Sequence, residues 1–219
     1  MKKLLITGFD PFNGESINPS WEAVRALDGQ HIGAYEVKAL LLPTTFQRSG
    51  ELLKEIALHG TPDVIWSVGQ AGGRPDITLE RVAINGMDAV IPDNDGAQPM
   101  DEPVAVDGPT AYWTTLPIKA MKVAIQKAGV PCSVSYTAGT YVCNSTFYKI
   151  MHMIDTEPLL KGCRGGFVHI PFIPEQAVRH PGKPSMSLEY IRRALTAGIE
   201  AIDEIELNTV SAGILHGES

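Results

Sequence analysis

Gly166-Phe167-Val168-His169-Ile170-Pro171 is an apolar run interrupted by one histidine and stopped by a proline. A near-continuous apolar segment of this length reads as a strand buried on both faces, as in a parallel sheet covered by helices. Proline has no N–H for the ladder, so the strand ends there. Similar runs lie outward from it at Lys3–Gly8, Val37–Leu42, Val64–Gly69, Ile77–Asn85 and Ser133–Tyr136. Amphipathic stretches fall between and after them at Ser20–Leu27, Phe46–Leu58, Ile118–Ala128, Ser145–Ile154 and Ser187–Ile205, with Gly60 and Gly129 acting as helix stops. Strands alternating with helices predict a single-domain α/β/α sandwich over residues 1–219, built on a mostly parallel twisted sheet. Ligands on such sheets bind beyond the carboxyl ends of strands, which is where His169 stands.

The 219 residues, 44% hydrophobic and 20% charged, suffice for one sizeable core. A net charge of −7 argues against nucleic acid and against anionic membrane surfaces, since both call for a basic face. The N-terminal apolar run breaks at Thr7-Gly8, short of a signal core or a membrane span. Cys132, Cys143 and Cys163 form no C-x-x-C pair, so neither a disulfide framework nor a zinc site is expected, and a reducing cytoplasm fits best. No cofactor is implied. Pro92 to Pro109 is a polar stretch rich in proline and glycine, read as a surface excursion. Within it Asp93-Asn94-Asp95-Gly96 is out of register for a calcium loop and reads as a turn.

Cys143 lies in Gly139-Thr140-Tyr141-Val142-Cys143-Asn144, at the start of a helical pattern. Unpaired N–H groups and the positive end of a helix dipole favour thiolate over thiol, so this is where a nucleophile would be placed. Cys132 and Cys163 read as small buried hydrophobes. Cys143 together with His169 suggests a hydrolase. Glu80 interrupts the strand-like run Ile77–Asn85, and a buried glutamate calls for a partner, which Arg81 or solvent would supply. An acid of this kind orients the imidazole in many triads. Phe9 and Phe12, in the loop after the first strand, either cap a pocket or pack against a neighbouring loop. That loop lacks the lysine of a phosphate-binding loop, since Glu15 follows Gly14. Gly69-Gln70-Ala71-Gly72-Gly73-Arg74 would let the Gln70 main chain approach a ligand, or serve only a tight turn.

Taken together, Gly8–Gly14 with Asn18-Pro19-Ser20, Gly69–Arg74 with Glu80–Asn85, Gly139–Asn144, and Gly166–Pro171 closely resemble the pyroglutamyl peptidase I family, also called pyrrolidone-carboxylate peptidases. The resemblance fades only after about Glu206. It implies a cysteine peptidase that removes N-terminal pyroglutamate from peptides, needs no metal and assembles as a homotetramer. By the same resemblance Glu80 is the acid, Cys143 the nucleophile and His169 the base. Phe9 and Phe12 then clamp the lactam ring, with Asn18, the Gln70 main chain, Tyr141 and Val142 completing the pocket. Two departures stand out. Val90 occupies a position where many relatives carry an arginine assigned to the oxyanion site, and Gly86-Met87 replaces a more polar pair. The rival reading is a phosphorylase-type transferase or a small-ligand binder, because glycine loops at strand ends also serve phosphate.

Overall fold

The computed structural model describes residues 1–206 and 211–213. Nine strands run in the order β1 (Lys2–Phe9), β2 (His31–Ile32), β3 (Tyr35–Leu42), β4 (Val64–Gln70), β5 (Ile77–Glu80), β6 (Val82–Ile84), β7 (Ala111–Trp113), β8 (Cys132–Ser135) and β9 (Arg164–Ile170). The helices are α1 (Pro19–Val24), α2 (Arg48–Gly60), α3 (Ile118–Lys127), α4 (Val142–Thr156), α5 (Pro174–Ala177) and α6 (Leu188–Glu200). Seven strands make the main sheet in the order β2-β3-β1-β4-β9-β5-β8. β3, β1, β4 and β9 are mutually parallel, β5 runs antiparallel to β9, and β8 is parallel to β5. The fold is therefore the expected helix-covered, mostly parallel sheet, with a reversed pair at one side.

The strand interiors explain the layering. β4 is buried along Val64–Gly69 and β9 along Gly165–Ile170, because helices cover both faces. One face packs Leu4, Ile6, Trp66, Val68, Val168 and Ile170 against residues of α1, α3 and α6. The other packs Leu5, Ile65 and Phe167 against Leu53 of α2 and Val142, Phe147, Ile150 and Met151 of α4. Each such aliphatic or aromatic side chain contributes about 1.5–3 kcal/mol on full burial. Gly8 is required where α1 crosses the end of β1, since a Cβ there would lie 2.7 Å from the Trp21 backbone N.

The sequence pattern needs three corrections. The single run expected over Ile77–Asn85 is two strands: β5 stays in the main sheet, and after Arg81 the chain leaves to pair β6 with β7 in a separate antiparallel ribbon. Arg81 N–H donates to Ser135 O and Arg81 O accepts from Thr114 N–H, so the backbone changes partner at that residue. The helix expected from Ser145 begins at Val142, which places Cys143 inside its first turn. The helix expected to Ile205 ends at Glu200. Residues 207–210 and 214–219, part of the tail where the family resemblance fades, lie outside the described residues.

Candidate active site

The register of three neighbouring strands brings the candidates together. Gly69 of β4 stands opposite His169 of β9, Thr78 of β5 stands opposite His169 on the other side, and Glu80 stands opposite Phe167. Side chains alternate faces with a period of two, so Gly69, Thr78, Glu80, Phe167 and His169 share the face covered by α4. His169 Nδ1 lies 2.7 Å from Glu80 Oε1, and the His169 ring packs against Phe167 at 4.9 Å between centroids. Glu80 is fully buried and His169 is 4% exposed. A carboxylate on Nδ1 fixes the proton there and leaves Nε2 to act as the base.

Cys143 comes from the helix that covers this face, on the first turn of α4. Its Sγ is 2.9 Å from the position a Cβ on Gly69 would occupy. Adjacent strands are about 4.8 Å apart, so a thiol seated over Gly69 is next to the imidazole one strand over. Glycine at 69 is thus a requirement of the site: any side chain would displace the sulfur and the Phe167 ring, whose Cζ would be 2.8 Å away. Asn144 anchors the helix. Its Oδ1 accepts from Ile84 N–H, and its Nδ2 donates to Ile84 O and Gly86 O. Tyr141, the N-cap, offers no side-chain cap, and Ser145 N–H is the first to bond back, to Tyr141 O. The earlier amides of the turn are free to face an anion.

Burial pushes the Cys143 thiol up to about 12, reinforced by the Glu80 charge and opposed by Arg74. Burial also pushes His169 below its usual value, with the Glu80 hydrogen bond and charge opposing. Glu80 is also lowered: burial would raise it, but the bond and charge of His169 and the nearby Arg74 hold it below the ordinary carboxylate range. These shifts make the Cys143 thiol a weaker acid, the His169 imidazole a weaker base and Glu80 a stronger acid than each is in water. The helix start favours the charged form by no more than about 2 kcal/mol, and desolvation of the thiol acts against it.

The remaining candidates are placed as follows. Phe9 is 2% exposed and packs on Phe167 at 6.3 Å, behind the triad. Phe12 is half-buried and meets Tyr141 at 6.2 Å, and Tyr141 is also met edge-on by Phe46 at 5.3 Å, an aromatic the sequence pattern did not single out. Tyr141 Oη donates to Pro92 O, and Asp93 accepts from Phe46 N–H, so the polar excursion braces this aromatic cluster. Asn18 is buried; its Oδ1 takes the Ser20 N–H and hydroxyl, and its Nδ2 donates to Asp10 O, making it the N-cap of α1. Gln70 continues the β4 ladder while its Oε1 accepts from Gln176 Nε2. Val142 is fully buried at the first position of α4. Val90 is 92% exposed. Among the described residues no group of three or more His, Cys, Asp or Glu side chains is arranged to hold a metal ion. No described helix is long and apolar enough to cross a membrane.

The partner of Glu80 differs from the sequence expectation. Arg81 neighbours Glu80 in the chain and so points to the opposite face; it lies over the Trp113 ring at 5.5 Å. Arg74 reaches the carboxylate instead, with Nη1 2.6 Å from Glu80 Oε1. The alternation of faces excludes Arg81 from sequence alone, whereas the return of Arg74 depends on the loop.

The family model for pyroglutamyl peptidase matches residues 2–205. The pyrrolidone-carboxylate peptidase of Bacillus mycoides (strain KBAB4) is 52% identical over 213 residues, covering 97% of this chain and 98% of the relative. The crystal structure of pyroglutamyl peptidase I from Bacillus amyloliquefaciens superimposes with a TM-score of 0.90 at 49% identity, covering 94% of this chain and 98% of that one. The pyrrolidone carboxyl peptidase from Thermococcus litoralis gives 0.88 at 38% identity, covering 92% and 93%. This chain belongs to the pyroglutamyl peptidase family.

Proposed function

We propose that this member of the family is a cysteine exopeptidase acting on the N-terminal pyroglutamyl residue of peptides through Cys143, His169 and Glu80. The observation that carries the assignment is the seating of Cys143 Sγ over Gly69, directly across the ladder from a histidine held on Glu80. In the first step Cys143 Sγ bonds to the pyroglutamyl carbonyl carbon as its proton moves to His169 Nε2. Glu80 stabilises the imidazolium that forms. The carbonyl oxygen becomes an oxyanion, met by the amide of Cys143 in the uncapped first turn of α4. The C–N bond then breaks, His169 gives its proton to the leaving amine, and a thioester remains. Water attacks the thioester, His169 takes the water proton and returns it to sulfur, and pyroglutamate leaves.

Phe12 and Tyr141 supply apolar surface for the lactam, with the buried Phe9 and Val142 packed behind it, and Gln70 and Asn18 fix the loops that carry it. A neutral ring fits such surroundings. Peptides beginning with glutamine or proline bring an ammonium group, whose burial without a partner costs several kcal/mol. Residues 1–219 are read as one catalytic domain, cytoplasmic and tetrameric, the three free thiols favouring a reducing compartment. The test is hydrolysis of one leaving group carried by pyroglutamyl, glutaminyl and prolyl N-termini, with a thiol blocker and a chelator in parallel. Selective cleavage of the pyroglutamyl substrate, abolished by the blocker and indifferent to the chelator, is expected. Comparable kcat/KM for the three would sink the neutral-lactam site. Sedimentation velocity reads the assembly.

A further inference from the structure

Arg74 closes the glycine-rich turn after β4 and is assigned no part in the steps above. Its guanidinium makes three contacts: Nη1 to Glu80 Oε1 at 2.6 Å, Nη1 to Thr78 Oγ1 at 2.6 Å, and Nη2 to Thr137 O at 3.0 Å. Thr78 stands opposite His169 in the ladder. Thr137 lies in the segment that leads from β8 into the nucleophile helix. One planar group therefore ties the acid's strand to the approach to Cys143. Glu80 Oε1 accepts from Arg74 and from His169 together, while Glu80 Oε2 is buried with no hydrogen-bond partner among the described residues. The Ser135 hydroxyl, opposite Glu80 in the β5–β8 ladder, donates to Thr137 O instead. Arg74 is the partly open member of the set, its side chain 29% exposed beside a fully buried Glu80.

We propose that Arg74 is a positioning residue for this reaction: it holds the Glu80 carboxylate on His169 and, as a fixed cation beside that carboxylate, sets how strongly the imidazole binds its proton. The inference rests on the triad reading given above. The charged or titratable groups that face His169 are Glu80 from β5, Arg74 from the turn before β5, and Cys143 from α4. Glu80 raises the proton affinity of His169, and Arg74 lowers it. Removing one or the other should therefore move the pair in opposite directions. A residue that merely stiffened the turn would lower turnover without moving the titration.

The experiment compares wild type, Arg74→Gln, Arg74→Lys, Glu80→Gln and the double variant Glu80→Gln/Arg74→Gln. Two pH profiles are measured: kcat/KM on a pyroglutamyl amide, and the rate at which iodoacetamide alkylates Cys143. Arg74→Gln should lower kcat by roughly 10–100-fold, the scale seen for orienting partners one step from a reacting group, with KM within about twofold. Its acid limb should move to higher pH in both profiles, whereas that of Glu80→Gln should move to lower pH. Arg74→Lys keeps the charge without the fork, so its limb should stay near wild type with kcat still reduced. In the Glu80→Gln background the Arg74→Gln change should cost no more than about twofold in kcat, because the two act as a unit. An acid limb of Arg74→Gln at the wild-type position overturns the proposal, whatever kcat does. If Arg74→Gln does not fold, Arg74→Lys decides, and wild-type kcat in that variant overturns the positioning role. Because alkylation needs no substrate, wild type inert toward pyroglutamyl amides with alkylation limbs shifted as stated would refute the activity and leave Arg74 in place.

Discussion

Strand β9 carries an ionic cluster at each end, and the two are built from similar parts for different ends. At its amino end Arg164 Nη2 donates to Asp203 Oδ1 at 2.6 Å and to Tyr35 Oη at 2.7 Å, and Nη1 donates to Ile202 O. Tyr35 donates to the same Asp203 oxygen, and Lys2 reaches both Asp203 oxygens. At its carboxyl end His169 and Arg74 share Glu80 Oε1, while Oε2 has no hydrogen-bond partner among the described residues. The first cluster is saturated and partly open to water. The second is buried, unfinished and set against a thiol. An unsatisfied buried acceptor costs about 1–3 kcal/mol, and such groups concentrate where a site holds groups ready for chemistry. The amino end fastens the C-terminal segment to the sheet, and the carboxyl end holds the groups to which the proposed mechanism gives proton transfer.

The largest test of that contrast is at sulfur. Cys143→Ser should lower turnover by roughly 10³-fold or more. Cys132→Ser and Cys163→Ser should remain active, because Cys132 is buried in the core on the face of the sheet opposite His169 and Cys163 is buried just before the amino end of β9. Burial pushes both up to about 12 as well. A raised thiol is thus common to all three, and only Cys143 has a histidine and free amides beside it. Inactivation by either core substitution, with circular dichroism unchanged, would break the comparison.

Glu80→Gln comes next. The amide keeps the shape of the acid but cannot stabilise the imidazolium, so turnover should fall by roughly 10–10⁴-fold. A fully active Glu80→Gln protein would make the carboxyl-end cluster as structural as the other one.

Much of this was legible in the chain. The parallel core strands and the helices between them follow from apolar runs and stop signals, while Glu80, Cys143 and His169 stood out only as candidates that the family resemblance joined into a set. The ribbon of β6 and β7 was not legible, because Arg81 to Asn85 continues the strand-like pattern and only the partners of Arg81 reveal the change of sheet. Nor was the reversal of β5 beside β9, which depends on pairing rather than on local sequence. Arg74 was visible only as the end of a glycine motif read for its backbone. The desolvation of Cys143 was not legible either, because the helix start is readable in sequence and burial of the thiol is not.

A third test concerns pH. In the proposed mechanism His169 must be neutral to take the proton, and burial holds its proton affinity below the ordinary 6.5. The acid limb of kcat/KM should accordingly lie below 6.5, falling as pH drops through the lowered value and the imidazole charges. A limb above that value would mean that the Glu80 bond and charge outweigh burial at His169.

The smallest effect is expected at the amino end. Burial alone would raise Asp203, but the bonds from Lys2, Tyr35 and Arg164 outweigh it and bring the group down from 3.8 to about 2. A carboxyl depressed in the folded state contributes stability above its unfolded value and loses it as pH falls through the folded one. Asp203→Asn should therefore destabilise the protein at neutral pH by about 1 kcal/mol, a modest figure because the carboxylate is 37% exposed and water screens its pairs. The gap between variant and wild type should close between pH 3.8 and 2, where the wild-type carboxylate also becomes neutral. Turnover at neutral pH should stay within about twofold of wild type, because the cluster is at the far end of β9 from His169. Urea unfolding at several pH values reads the first two outcomes, and the pyroglutamyl-amide assay reads the third. A large drop in turnover with little loss of stability would mean that the two ends of β9 are coupled, and that the saturated cluster also sets the strand position on which His169 depends.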